Sequence, residues 1–183
     1  MRIISGRYKG RRLTAPKQLP VRPTTDRAKE ALFNILHHRF EWNEIRTLDL
    51  FAGTGNISYE LASRGVNDLT AVDQNKYCVY YINQTAKALE MPIVVIKNNV
   101  EKFLEYPTSP YDFIFADPPY AFKREQLIEL VNQLINLHWV KTTGLIVVEH
   151  DKHITLNEHE YFFEERTYGS CRFSFFTFST EKK

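Results

Sequence analysis

At 183 residues, with 43% apolar and 25% charged positions, the chain has the length of one ordinary domain and enough apolar content to bury a core. Its two cysteines, Cys78 and Cys171, lie far apart with no C-x-x-C, which argues against a disulfide scaffold or a zinc site, and no apolar stretch approaches the ~20 residues that span a bilayer. The net charge of +2 conceals an asymmetry: residues 1–30 carry nine Lys or Arg against two acids, and the rest of the chain fifteen against twenty.

That basic end comes first in the chain. Gly6 and Gly10 punctuate Arg2-Ile3-Ile4 and Arg11-Arg12-Leu13, which predicts a small hairpin arm carrying Arg7, Lys9, Arg11, Arg12 and Lys17. Cations at this density hold phosphates and position a nucleic acid without reading its sequence, the plainer alternative being a solvated tail. The arm lacks the apolar segment of a signal peptide, so a cytoplasmic protein is expected. After Pro23, Ala28, Ala31, Leu32, Ile35 and Leu36 recur at helical spacing, with Thr24 or Thr25 as N-cap.

Thr47–Phe51 reads as a short buried strand, followed by Ala52-Gly53-Thr54-Gly55 and a helix from about Asn56. Glycines in such a loop let the backbone approach a ligand closely. A nicotinamide fingerprint wants a third glycine where Ser58 stands, and there is no Gly-Lys-Ser/Thr for a nucleotide phosphate. The loop therefore fits a ligand without a pyrophosphate, of which S-adenosylmethionine is the common one. Leu69–Val72 forms a second apolar run ending in Asp73, an acid placed to accept hydrogen bonds from both hydroxyls of a ribose. A third run, Ile93–Ile96, leads to Asn98-Asn99-Val100, where an amide and a backbone N–H suit an adenine edge. Singly, each of these polar residues is as well explained as a cap or a solvated turn; together they line the carboxyl ends of consecutive strands, where open α/β sheets bind ligands.

The next strand, Phe113–Ala116, closes in Asp117-Pro118-Pro119-Tyr120. An exocyclic amine on a nucleic-acid base is a poor nucleophile because its lone pair is delocalised into the ring. A carboxylate from Asp117 and the Pro118 carbonyl accept its two N–H hydrogens and localise the lone pair, while Pro118 and Pro119 fix the backbone without adding a donor. Tyr120 can stack on a base drawn out of its helix. The alternative is that Pro-Pro simply ends the strand and the tyrosine packs.

Beyond it, Leu127, Leu130, Val131, Leu134 and Ile135 predict an amphipathic helix and Gly144–Glu149 a buried strand, both structural. Tyr161 and Phe163, then Phe173, Phe175 and Phe178, flank Tyr168-Gly169-Ser170 as an antiparallel hairpin whose aromatics belong to the core. No histidine pattern suggests a metal; His150-x-x-His153 has chelating spacing but is expected on a surface loop.

These residues resemble a known family. Leu48 through Gly55, Asp73 and Asp117-Pro118-Pro119-Tyr120 are similar to the motifs of class I S-adenosylmethionine-dependent methyltransferases. Arg2–Gly6, Lys9-Gly10-Arg11, Arg22–Arg27 and Ala31–Asn34 resemble, more narrowly, the bacterial 16S ribosomal RNA guanine-N2-methyltransferases. The resemblance implies a Rossmann-like α/β fold, doubly wound, with seven mostly parallel strands and one antiparallel strand from the last hairpin. It implies a single domain over 1–183, with the basic arm at 1–24 and the catalytic core at 25–183. It further implies S-adenosylmethionine as methyl donor without a metal, and 16S rRNA in the assembling 30S subunit as partner of a monomer. The implied site residues are Asp117, Pro118, Pro119 and Tyr120 for catalysis and Asp49, Phe51, Gly53, Gly55, Asp73, Asn99 and Val100 for the cofactor. Arg7, Lys9, Arg11, Arg12 and Arg22 are assigned to the RNA, and one or more of Arg22, Thr25 and Arg27 to the methionine carboxylate. A DNA adenine-N6-methyltransferase and a non-catalytic RNA-binding assembly factor are the rival readings. The short chain leaves little room for a target-recognition domain, and a pure binder has no use for both motif sets.

Overall fold

The computed structural model describes residues 1–16, 19 and 24–178, so Lys17 and Arg22 lie outside the described residues. Among the described residues, twelve elements follow in the order α1 (Asp26–His37), β1 (Arg46–Leu50), α2 (Asn56–Arg64), β2 (Asp68–Asp73), α3 (Lys76–Ala88), β3 (Ile93–Lys97), α4 (Val100–Leu104), β4 (Tyr111–Ala116), α5 (Arg124–Asn136), β5 (Val140–Asp151), β6 (Phe162–Tyr168) and β7 (Cys171–Phe176). The seven strands form one sheet ordered β3-β2-β1-β4-β5-β7-β6. Only β7 runs against its neighbours, pairing antiparallel with both β5 and β6.

Successive side chains on a strand point to opposite faces, and here both faces are apolar. On β4 and β5, Phe113, Phe115, Leu145 and Val147 join the core beneath α1, α2 and α3. Ile114, Ala116, Ile146 and Val148 join the opposite core beneath α4 and α5. Continuous apolar runs in the sequence thus become strands covered on both sides. Phe173 and Phe175 of the last hairpin are fully buried in the first of these cores.

Two expectations are corrected. The strand expected from Gly144 begins at Val140 and continues to Asp151, with a break in register opposite Tyr111 and Phe113. Because the strand runs on, His150 is buried on β5 rather than on a surface loop; its ring bonds Ser174 Oγ at 2.8 Å and the Asp151 carbonyl at 2.9 Å. Burial also lowers its pKa, which favours the neutral imidazole, against the backbone hydrogen bond to Asp151.

The N-terminal segment turns back on itself through an antiparallel bridge between Arg2 and Arg12, then lies on α2. Glu60 of α2 is fully buried and accepts from the backbone N–H groups of Ile4 (2.7 Å) and Ser5 (3.0 Å). Arg64 lies 2.8 Å and the buried Lys29 3.6 Å from the same carboxylate, so the buried charge is both paired and hydrogen-bonded. Desolvation lowers the Lys29 pKa, and the Glu60 carboxylate opposes that. Gly6, at φ +80°, makes the contact possible: a Cβ there would stand 1.8 Å from the Ser63 carbonyl oxygen. Arg7, Lys9, Arg11 and Arg12 project from this docked segment as exposed side chains.

Candidate active site

The carboxyl ends of β1, β2 and β4 open into a cleft of about 500 Å³, lined among others by Asp49, Phe51, Gly53, Asp73, Asn99, Val100, Asp117, Pro118, Pro119 and Tyr120. The fold accounts for this convergence, because parallel neighbours in the order β2-β1-β4 deliver their tips to one edge of the sheet.

The loop after β1 is shaped by left-handed backbone. Phe51, Gly53 and Gly55 have φ of 58°, 54° and 80°. At Gly55 a Cβ would meet the Tyr59 ring at 2.9 Å, so only glycine lets α2 start there. Phe51 carries the same sign of φ with a side chain, a strain of the order of 1–3 kcal/mol that recurs at binding sites. Its ring is held edge-on against Phe122, with centroids 5.8 Å apart.

Asp73 accepts from the Gly53 N–H at 2.8 Å and the Asn75 N–H at 2.7 Å, so it fixes the loop as well as facing the cleft. Burial raises its pKa and those two hydrogen bonds oppose the rise. Asp49 lies beneath the loop, 1% exposed, and accepts from the Ser58 hydroxyl. Desolvation pushes its carboxyl up to about 7, against the Ser58 bonds and with a smaller contribution from Asp73. Asn99 caps α4, its side-chain oxygen accepting from the Lys102 N–H at 3.2 Å. Its amide N–H groups, rather than that oxygen, are therefore the part best suited to a ligand.

The Asp117 N–H donates to the Leu50 carbonyl at 3.3 Å, tying the acidic run to the tip of β1. Pro118 is buried, Pro119 exposed, and Tyr120 44% exposed at the mouth. The Asp117 carboxyl is raised well above the usual range, first by desolvation and then by the carboxylates of Glu149 and Asp49. A cleft walled by Asp49, Asp73, Glu101 and Asp117 is suited to a ligand that brings positive charge.

The α1 entry sets its residues apart, with Arg22 outside the described residues. Thr25 is the N-cap, accepting from the Ala28 N–H at 3.2 Å, and with Arg27 it lines a neighbouring pocket; Thr24 is the residue that reaches the cleft. Thr24 also donates from its hydroxyl to Glu149 at 2.7 Å, and its carbonyl accepts from Asn56 at 3.0 Å. Sequence reasoning passed over Thr24, Asn56, Ser58 and Glu149. Glu149 was within reach of the rule that found Asp49 and Asp117, since it also stands near the carboxyl end of a buried strand.

The family model described as conserved hypothetical protein 95 matches residues 1–177. The Bacillus subtilis (strain 168) protein YlbH is 36% identical over 163 residues, covering 86% of each chain. The Haemophilus influenzae protein called ribosomal RNA small subunit methyltransferase D is 34% identical over 177 residues, 92% of this chain and 89% of that one. Among solved structures, a hypothetical protein of Thermus thermophilus superposes with a TM-score of 0.83 at 28% identity, over 97% of this chain and 99% of the other.

Proposed function

The chain belongs to the family described as conserved hypothetical protein 95, together with the ribosomal RNA small subunit methyltransferase D proteins, and from that membership we propose that it methylates small-subunit ribosomal RNA, at the exocyclic N2 amine of a guanine in 16S rRNA. The observation that carries the reading is the meeting of Asp117-Pro118-Pro119-Tyr120 with the Asp49–Gly55 loop and Asp73 in one acidic cleft.

The donor set fits S-adenosylmethionine. Its sulfonium and ammonium charges suit four carboxylates, its ribose suits Asp73, and close approach of its chain suits the loop at Gly53, whereas Gly55 does not line the cleft and instead makes room for the Tyr59 ring. When bound, it supplies an activated methyl group, so the protein's task is positioning and electrostatics. Asp117 and the Pro118 carbonyl accept the two N–H hydrogens of the amine and turn its lone pair toward the methyl group. Tyr120, exposed at the mouth, stacks on the extruded base. Asp117 must be ionised to act this way; a cation bound in the cleft lowers its raised pKa and favours that form. It is then also an acceptor for the proton shed by the methylated amine. The exposed Arg7, Lys9, Arg11 and Arg12 hold RNA phosphates and set its orientation.

Labelled methyl transfer tested in parallel on small subunits lacking the modification, naked 16S RNA and duplex DNA discriminates the possibilities. Incorporation into ribosomal RNA at guanine N2 is the expected result. Incorporation into DNA alone would overturn the proposal, and RNA binding without transfer to any substrate would make the protein an assembly factor.

A further inference from the structure

A second pocket, of about 400 Å³, adjoins the cofactor cleft and shares Thr24 and Tyr120 with it. Its far wall is the β6–β7 turn from Thr167 to Cys171, and Glu149 also lines it. Its volume falls within the roughly 300–1,000 Å³ of ordinary small-molecule sites.

The sheet register explains why a second carboxylate arrives here. Ala116 of β4 lies opposite Val148 of β5, so the residues that follow, Asp117 and Glu149, come up side by side. By the period-two rule they share the face of Phe115 and Val147, the face covered by α1 and α2. Glu149 is only 4% exposed, and its carboxylate accepts from the Thr24 hydroxyl at 2.7 Å. Two carboxylates stand at neighbouring strand tips, one facing the cofactor cleft and one the adjoining pocket, with Tyr120 bordering both.

Purines differ in what they show to such a pair. The Watson–Crick edge of guanine presents N1–H beside its N2 amine, adjacent donors that call for adjacent acceptors. Adenine, and any purine carrying a 2-amine but no N1 proton, presents a lone pair at N1, which a carboxylate repels. We propose that the pocket between Tyr120 and the β6–β7 turn receives the edge of the target guanine, with Glu149 accepting its N1–H while Asp117 and the Pro118 carbonyl hold its N2 amine. This rests on the guanine-N2 reading above and gives it a structural source of base selectivity.

The test compares small-subunit RNA containing guanine at the modified position with the same RNA containing 2-aminopurine there, which keeps the 2-amine but has an unprotonated N1. Wild-type protein should prefer guanine by about 10–100-fold in kcat/KM, the cost of losing a hydrogen bond to a charged group and facing a lone pair instead. Glu149→Gln can turn an amide N–H toward the N1 lone pair, so its preference should shrink by at least about tenfold. A ratio taken within one variant is unaffected by partial loss of folded protein. Methylation of guanine by wild type with an unchanged ratio in Glu149→Gln would overturn the role of Glu149 and leave the proposed function standing. No transfer to guanine by wild type, with S-adenosylmethionine binding intact, would overturn both.

Discussion

Replacing Asp49 by Asn tests the electrostatics of the cleft through stability alone, without a substrate. In the folded protein its carboxyl is raised from 3.8 to about 7, chiefly by burial. Between those values the folded protein keeps a proton that the unfolded chain has released. The raised pKa therefore leaves stability intact below about pH 4, erodes it as the pH climbs, and imposes a constant penalty above about pH 7. At about 1.36 kcal/mol for each pH unit, the full penalty comes to about 4 kcal/mol. Asn does not titrate, so Asp49→Asn should gain on the wild type by up to that amount between pH 4 and pH 8. Part of the gain passes through Asp117, whose pKa the Asp49 charge also raises. A change in the hydrogen bond from Ser58 adds an offset that does not vary with pH. Urea unfolding of both proteins at half-unit steps of pH, without ligand, measures the difference, and the other titrating groups largely cancel. Parallel stability curves, with a difference constant to within about 0.5 kcal/mol, would refute a raised Asp49 pKa.

Asp117→Ala should lower methyl transfer by at least about 100-fold while leaving S-adenosylmethionine binding by calorimetry largely intact; normal turnover would remove Asp117 from the mechanism. Gly6→Ala places a Cβ against the Ser63 carbonyl at a φ of +80°, and should cost about 1–3 kcal/mol in thermal or urea unfolding while weakening RNA binding through a displaced arm. Changing Arg7, Lys9 and Arg11 together to Gln should hardly alter stability, since all three are exposed and the Arg7–Glu90 pair, at 3.9 Å, is a surface contact. The same change should flatten the dependence of log affinity on log salt by about 0.7 for each single-stranded phosphate that is no longer neutralised, and an unchanged slope would take these cations out of the RNA interface.

The amino-acid sequence by itself determined the architecture, because its signals are local. Apolar runs of strand length alternate with helical periodicity, and Gly55 opens α2 where the loop demands it. The acids at strand ends were legible for the same reason: the doubly wound topology sends the tips of β1, β2 and β4 to one edge, so Asp49, Asp73 and Asp117 needed only their positions in the chain to be grouped. Contacts between segments remote in sequence were not legible. The pairing of Thr24 with Glu149 spans 125 positions, and the docking of Ile4 and Ser5 on Glu60 spans more than 50. Neither has a sequence period. The expectation of His150 on a surface loop failed because β5 extends beyond its apolar run, with β7 pairing to it as far as Asp151. Tertiary structure alone decided that the basic segment is bolted to α2, that Thr24 rather than Thr25 or Arg27 reaches the cleft, and that Asp117 has a second carboxylate beside it. Hydrophobic period specifies which face of an element is buried, whereas the partner on that face is set by how the whole chain packs.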